Sequence, residues 1–230
     1  MPYSRAFFEL QLRFAQALSD RFGLTLDEAL WEYTTLPLSL GQGDEWKVYI
    51  AGLEQAEDLV NWTYDFYLPR AGVDLTPQDT HFHGNLLFGC FYYQVREGHI
   101  IRPHLIKRGT EGILGHAQLH QRREELARMF RHIKENEPEA DEVLGNSWLY
   151  NLEAYRRLFP PAYTREMTIS EEGEFRYLAR WGQFFDRHWQ IKEPLAEMLL
   201  SQVTELDNLE KLKDCFPYQI LQPRCSLKEF

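Results

Sequence analysis

The stretch that decides the fold begins GHIIRPHLIKRGTEGILG at Gly98 and ends at Tyr155. Its first part, His99–Lys107, alternates its side chains as a β-strand does. A loop with three glycines follows, and Gln118–Glu135 then has the apolar stripe of an amphipathic helix. The sequence EVLGNSWLY at residues 142–150 predicts a second strand. The stretch therefore predicts strand, glycine-bearing loop, helix, strand, turn and short helix.

The segment before this stretch indicates a hairpin. Residues 86–95, LLFGCFYYQV, are rich in aromatic side chains and apolar on both faces. The turn at residues 96–98 joins them to His99–Lys107, which predicts an antiparallel pair. The helix that follows predicts a crossover to residues 142–150, and a crossover makes its two strands parallel. We therefore expect an α+β protein with a mixed β-sheet.

The first part of the chain has helical patterns. Ser4–Phe22 carries apolar residues at the spacing of one helix face, and Gly23 predicts its end. Thr25, followed by a carboxylate at Glu28, predicts a capped second helix. Ala51–Tyr67 is a further helical candidate.

Helices are also predicted near the other end of the chain. Phe175–Trp189 is rich in aromatic residues, and a leucine stripe begins at Pro194. The stripe lasts barely two heptads, which is typical of core packing. We expect a helical N-terminal region over residues 1–75. The second domain is expected over residues 76–230, with the C-terminal helices packed against its sheet.

The charge of the chain limits its partners. The formal net charge is −10 at pH 7, so the field of the chain should repel polyanions. The densest basic run includes Arg122 and Arg123, but it shares its helix with Glu124 and Glu125. This mixture is typical of a solvated helix face. We expect no nucleic-acid partner.

Cysteine usage and hydropathy indicate an ordinary intracellular protein. The three cysteines, Cys90, Cys215 and Cys225, lack the spacing of a disulfide framework or a zinc site. Cys90 lies in an apolar strand, which predicts a core position. The apolar runs are shorter than the roughly 20 residues of a membrane helix, and no leader pattern opens the chain. We expect a soluble, cytoplasmic protein without a membrane partner.

The glycine-bearing loop is the segment best suited to hold an anion. It runs from Arg108 through Gly109 and Gly112 to Gly115. Backbone N–H groups in a loop between a strand and a helix can bind phosphate. Pro103, in the preceding strand, lacks a ladder donor, so that strand should be at an edge or bulged there. A bulge would open a cleft beside the next strand.

This order of elements resembles the GNAT-type acyltransferase superfamily over about residues 80–190. In that superfamily a loop of the pattern Gln/Arg-x-x-Gly-x-Gly/Ala lies at the mouth of a cleft between parallel strands and binds the pyrophosphate of acyl-coenzyme A. The resemblance implies that Arg108, Gly109, Gly112 and Gly115 bind this cofactor. It also implies acyl transfer from acyl-coenzyme A to a small amine or hydroxyl acceptor, with no metal.

Acyl transfer requires a base for the acceptor and an acid for the departing thiolate. In the superfamily the acid is usually a tyrosine on the helix after the second strand; Tyr155 matches that position and Tyr150 is its rival. His104, on the strand beside the expected cleft, is the predicted base because its reference pKa is near neutral. The structural alternatives are a strand histidine satisfied by its neighbours and a Tyr155 that packs beside Leu158 and Phe159.

Two other functions stay open. Glu111 puts a negative charge in the loop, and the glycine spacing is one residue wider than the superfamily pattern at each interval, which favours a binding or scaffold protein on the same fold. His116 and His120 lie four residues apart, the spacing of one helix face, which raises a weaker alternative, a histidine-liganded metal hydrolase. The expected partner is a small-molecule acceptor, and a homodimer is left open.

Overall fold

The computed structural model describes residues 3–72, 76, 78–106, 114–170, 175–176, 178–186 and 188–230. The chain forms two units, each built from two segments. The helical unit comprises Met1–Val73 and Glu172–Gln219, and the sheet unit comprises Asp74–Glu171 and Ile220–Phe230. The first change of unit lies two residues before the boundary expected after residue 75. The helices beyond residue 171 group with the N-terminal helices.

The α-helices are α1 (Arg5–Phe22), α2 (Leu26–Tyr33), α3 (Leu36–Leu40), α4 (Asp44–Leu53), α5 (Leu59–Tyr67), α6 (Leu119–Asn136), α7 (Glu153–Arg156), α8 (Pro161–Thr164), α9 (Leu178–Trp181) and α10 (Glu193–Glu205). The strands are β1 (His81–Phe82), β2 (Asn85–Leu86), β3 (Phe91–Arg96), β4 (Ile100–Leu105), β5 (Glu142–Leu144), β6 (Met167–Ile169) and β7 (Leu221–Ser226). In the described part of the chain, no helix is both long and apolar enough to cross a membrane.

The predicted start of the helical unit is confirmed. Helix α1 ends where Gly23 adopts a φ of 70° and donates its N–H to the Ser19 carbonyl at 2.9 Å. Glycine suits this position because the left-handed conformation is costly for other residues. Helix α2 begins with a reciprocal capping box between Thr25 and Glu28. The end of α1 and the start of α2 are therefore set by local side-chain and backbone chemistry.

Two predicted helices are wrong as continuous elements. Ala51–Tyr67 is divided between α4 and α5, because the Asp58 carboxylate caps a new helix by accepting the Asn61 N–H at 2.9 Å. Within Phe175–Trp189, the α-helix among the described residues is the four-residue α9. Its aromatic residues serve the core instead: the Trp181 indole packs edge-on against Phe14, with ring centroids 5.0 Å apart.

The core of the helical unit also contains a polar contact. Gln11 on α1 is fully buried and accepts hydrogen bonds from the Thr35 N–H at 2.7 Å and the Thr35 hydroxyl at 2.9 Å. The Gln11 amide in turn donates to the Phe7 carbonyl at 3.2 Å. A buried amide is tolerated when its donors and acceptors are paired. These bonds fix the junction between α2 and α3 against α1.

The sheet unit contains a five-stranded mixed sheet in the order β3-β4-β5-β7-β6, and β1 pairs with β2 separately. The predicted hairpin is confirmed as β3 and β4, although β3 begins at Phe91 rather than near residue 86. Its turn uses left-handed backbone at Glu97 and Gly98. The predicted crossover is also confirmed, because α6 connects β4 to a parallel β5. The α+β class with a mixed sheet is therefore confirmed.

Two strands of this sheet were not predicted. Strand β7 lies between β5 and β6 and is antiparallel to both. It belongs to the second segment of the sheet unit, so a strand from far along the chain lies inside the sheet. The sheet is therefore assembled from distant parts of the sequence, and its two edges are β3 and β6.

Helix α6 covers one face of the sheet and is held to the start of β3 by a polar cluster. Its buried Glu125 accepts the Cys90 N–H at 3.1 Å. Arg122, also buried, forms an ion pair with Glu125 and donates to the Cys90 sulfur at 2.6 Å. Gly89 has a φ of 67°, and a Cβ there would lie 2.0 Å from the Glu125 carboxyl carbon. The cluster therefore requires glycine at position 89.

We predict that Gly89→Ala strongly destabilises the sheet unit. The left-handed backbone costs about 1–2 kcal/mol for a residue with a Cβ, and the displaced Glu125 would lose charge-assisted hydrogen bonds worth roughly 1.5–3 kcal/mol each. Gly98→Ala is the matched control, because its φ of 78° is similar but its Cβ would meet nothing within 4 Å. Urea unfolding of both variants measures the difference. Equal losses would contradict the role of Glu125.

Candidate functional site

The joint between β4 and β5 is short. The parallel strands pair at two positions, of which the last joins Ile101 to Val143. Beyond it β4 continues along β3, whereas the other strand stays with β7, since Gly145 donates its N–H to a β7 carbonyl at 3.0 Å. The ladder between the two halves of the sheet therefore ends there. We call the interval between residues 102–105 and residues 144–147 the β4–β5 gap.

Pro103 lies along this gap. It is opposite Tyr93 in a register with β3 that runs without interruption, so of the two predicted alternatives, an edge or a bulge, the bulge is wrong. The Ile106 N–H donates to the Cys90 carbonyl at 2.9 Å. Because hydrogen-bonded and non-bonded pairs alternate in an antiparallel ladder, the Pro103 nitrogen points away from β3. Proline is tolerated because the strand is locally an edge at the gap.

Three tyrosines pack beside the gap. The hydroxyls of Tyr150 and Tyr163 are 2.9 Å apart, and the Tyr155 ring centroid lies 5.0 Å from that of Tyr150. A Cβ at Gly145 would come within 2.3 Å of the Tyr150 hydroxyl and 2.5 Å of the Tyr163 hydroxyl. Burial raises the pKa of each of the three tyrosines well above 10. They therefore keep their protons at neutral pH and can act as donors.

His104 has a different environment on β4. Its ring stacks on Tyr92, with centroids 4.6 Å apart and planes 9° from parallel. Burial lowers the pKa of His104 from 6.5 to about 4, and the positive charges of Arg102 and Arg96 add to this effect. Its Nε2 atom is buried without a hydrogen-bond partner in the described residues. His104 is therefore neutral at pH 7 and has a nitrogen able to accept a proton.

The predicted catalytic residues lie on two faces of the sheet. Tyr150 and Tyr155 share one buried cluster with Ile101. His104 is three residues further along the same strand, so its side chain projects from the opposite face. The structure brings the two tyrosines together but does not bring His104 to them. A ligand that contacts both His104 and Tyr150 would have to lie across the β4–β5 gap.

The predicted cofactor loop is described in part. Arg108, Gly109 and Gly112 lie outside the described residues. Gly115 is exposed and immediately precedes the short 3₁₀ helix His116–Gln118, which leads into α6. The N-terminal end of an 18-residue helix carries a partial positive charge that favours an anion nearby. Gly115 therefore lies beside a helix end with a partial positive charge, as its predicted role in binding the cofactor phosphates requires.

Basic side chains meet near this helix end. The Arg123 guanidinium donates to the Arg157 carbonyl from Nε at 3.1 Å and from Nη2 at 2.7 Å. The Arg157 Nη1 atom lies 3.3 Å from the His116 Nε2 atom. Arg123 belongs to the run predicted as a solvated helix face. Arg123 and Glu124 are exposed, but Arg122 and Glu125 are buried, so the prediction is wrong for that half of the run. No sequence pattern predicts that Arg123 approaches Arg157.

Two other contacts were missed in the sequence. Tyr163 is thirteen residues from Tyr150, a separation that fits no helix or strand period. Cys90 was predicted as simple core and is buried, but it contacts the Arg122–Glu125 ion pair. Neither contact can be found without the arrangement of the surrounding elements.

The histidine pair of the metal alternative is separate from these features. His120 lies 3.6 Å from the Glu124 carboxylate, one turn further along α6. Within the described ranges, no group of three His, Cys, Asp or Glu side chains is arranged to hold a metal ion.

Comparison with known proteins adds no assignment. No protein-family model matches the chain, and neither a curated protein nor a solved structure matches it. The geometry of the β4–β5 gap and its surroundings is therefore the basis for a functional proposal.

We predict that His104 makes the stability of the protein fall in acid. The folded state holds its pKa near 4, whereas the unfolded value is 6.5, so the unfolded chain binds more protons between these values. The stabilisation is complete above pH 6.5 and is lost as the pH falls toward 4. His104→Gln should therefore flatten the pH dependence of the free energy of unfolding, measured by urea titration across this window.

The control for this measurement is His120→Gln, which replaces an exposed histidine on α6. The free energy of unfolding of this variant should have the same slope against pH as that of the wild-type protein. A His104→Gln variant with the wild-type slope would contradict the low pKa of His104.

Proposed function

We propose that the sheet unit binds an acyl-coenzyme A in the β4–β5 gap and transfers its acyl group to a small amine or hydroxyl acceptor. The observation that carries the proposal is the end of the β4–β5 ladder after Ile101 and Val143. A pantetheine arm is narrow and carries amide groups. These amides would hydrogen-bond to the backbone groups of β4 and of the strand across the gap, as an added β-strand does at a sheet edge. The gap also joins the two faces that hold the candidate acid and base.

Charge near the start of α6 supports the binding of the cofactor phosphates there. Arg157 contacts both Arg123, through its backbone carbonyl, and His116, through its guanidinium, beside the helix end that follows Gly115. Arginine forms bidentate hydrogen bonds with phosphate oxygens, and a helix N-terminus adds favourable backbone dipoles. In a chain of net charge −10, such a cluster is the kind of local feature that an anionic cofactor requires.

The proposed chemistry assigns one proton transfer to each face. The acceptor attacks the thioester carbonyl, its new bond to carbon forms, and His104 accepts the proton that the acceptor loses. The carbon–sulfur bond then breaks, and Tyr150 donates a proton to the departing thiolate. Tyr150 is preferred to Tyr155 because the Tyr150 hydroxyl lies against Gly145 at the gap. The low pKa of His104 makes it a weak base, so an amine would react in its neutral form.

We predict that coenzyme A raises the melting temperature of the protein, because a ligand that binds the folded state stabilises it by mass action. Gly115→Asp should abolish this shift by placing a carboxylate beside the phosphates. Gly98→Asp adds the same charge at the hairpin turn, at the opposite end of β4, and should keep the shift. Differential scanning fluorimetry with millimolar coenzyme A measures all three proteins. No shift for the wild-type protein would exclude the proposed function.

We further predict that His104→Gln and Tyr150→Phe each slow acyl transfer on the order of 100-fold, the usual effect of losing a general acid or base. Release of free thiol from acetyl-coenzyme A, with a panel of small amines and alcohols, measures the rate. Tyr155→Phe is the matched control for Tyr150, since it removes a hydroxyl from the same buried cluster. If Tyr155→Phe alone lost activity, the acid would be Tyr155.

A further inference from the structure

A cavity follows one edge of the sheet. It has a volume of about 470 Å³ and lies between residues 84–86 and the outer side of β3. Glu137, the residue that follows α6, also lines it. Strand β2 therefore runs beside this edge and leaves space next to it. Cavities of this size commonly hold small organic molecules.

The wall formed by residues 84–86 is held in place by the hairpin of β1 and β2. Its two-residue turn has left-handed backbone at His83, with a φ of 46°. The Asn85 amide donates to the Phe82 carbonyl at 3.2 Å and to the His83 carbonyl at 3.1 Å. The Phe82 ring packs against Tyr92 on β3, with ring centroids 5.7 Å apart. The wall is therefore anchored both at its turn and against the sheet.

The cavity contains a carboxylate. Glu137 is half-buried and accepts a hydrogen bond from the Tyr93 hydroxyl at 2.8 Å. Burial and the Glu137 carboxylate raise the pKa of Tyr93, so its hydroxyl keeps the proton that it donates. Glu137 also follows the C-terminal end of α6, where the helix dipole adds partial negative charge. This part of the cavity therefore favours a cation.

The same cavity contains a guanidinium. The Arg96 Nη2 atom donates to the Gln94 side-chain oxygen at 3.1 Å, and both residues line the cavity. In the described part of the chain, neither Arg96 nor Glu137 forms an ion pair. A guanidinium can form two parallel hydrogen bonds with a carboxylate. The cavity therefore offers one positive and one negative side chain to a ligand.

We infer that this cavity binds a free amino acid with an apolar side chain. The ammonium group of the ligand pairs with Glu137, and its carboxylate pairs with Arg96. Leu86 and Val95 also line the cavity, and they are 36% and 37% exposed, so they offer apolar surface to the ligand side chain. A ligand with a single charge would leave either Glu137 or Arg96 without its counter-ion.

The cavity is separate from the β4–β5 gap. It borders the outer side of β3, whereas the gap lies on the far side of β4. The catalytic candidates His104 and Tyr150 do not line the cavity. Amino-acid binding is therefore independent of the proposed acyl transfer, and it can be measured in the absence of coenzyme A.

The first test is differential scanning fluorimetry of the wild-type protein with millimolar leucine, isoleucine, valine, methionine or phenylalanine. At least one of them should raise the melting temperature, because a ligand of the folded state stabilises it by mass action. Each active amino acid is compared with the amine and the acid that lack one of its charges, which for leucine are isoamylamine and isocaproate. Neither should cause the shift. No shift with any of the five, or an equal shift with a singly charged counterpart, would overturn the inference.

The second test locates the site by isothermal titration calorimetry with the active amino acid. Glu137→Gln and Arg96→Gln should each weaken binding roughly 10- to 100-fold, because each loses hydrogen bonds between charged groups. Glu135→Gln and Arg131→Gln are the matched controls: they remove exposed charges of the same two signs from α6 and should keep the wild-type affinity. The melting temperature of each variant without ligand shows that it is folded. Wild-type affinity in either cavity variant would overturn the inference, because the amino acid would then bind elsewhere.

Discussion

Two parallel residue pairs between β4 and β5 join the halves of the sheet, and the other features depend on how short this joint is. Parallel pairing requires a crossover, and α6 supplies it while covering one face of the sheet. A longer joint would put Pro103 where a ladder N–H is needed. Because the joint ends early, Pro103 costs no ladder hydrogen bond to β5, and because Gly145 has no side chain, the hydroxyls of Tyr150 and Tyr163 pack against it.

Elements with local signals could be predicted from the sequence. A periodic apolar face and a left-handed glycine define α1, and a turn between two aromatic or apolar runs defines the hairpin. Strand β7 had no such signal, because it is six residues long, contains Pro223 and pairs with strands far earlier in the chain. The break at Asp58 was missed since one carboxylate cap decides it. Long-range pairing and single caps are therefore the limits of a pattern-based prediction.

The candidate site shows the same limits. The residue types of the candidate site could be selected from the sequence, since His104 lies on a predicted strand and Tyr150 just after one. Their faces could not, because the face of a side chain depends on strand register. The position of Tyr163 depends on the packing around Gly145, which lacks a side chain where two hydroxyls approach. The sequence therefore predicts the components of the site better than their arrangement.

The position of β7 has a consequence for how the protein is made. The ribosome synthesises β5 and β6 well before Leu221–Ser226. The second segment of the helical unit, Glu172–Gln219, is synthesised between β6 and β7. Until β7 emerges, the nascent chain has no strand to join β5 to β6, so one side of each remains exposed. The sheet unit therefore completes its strand pairing only after residues 172–219 have been synthesised, and such late, long-range pairing is slow and vulnerable to aggregation.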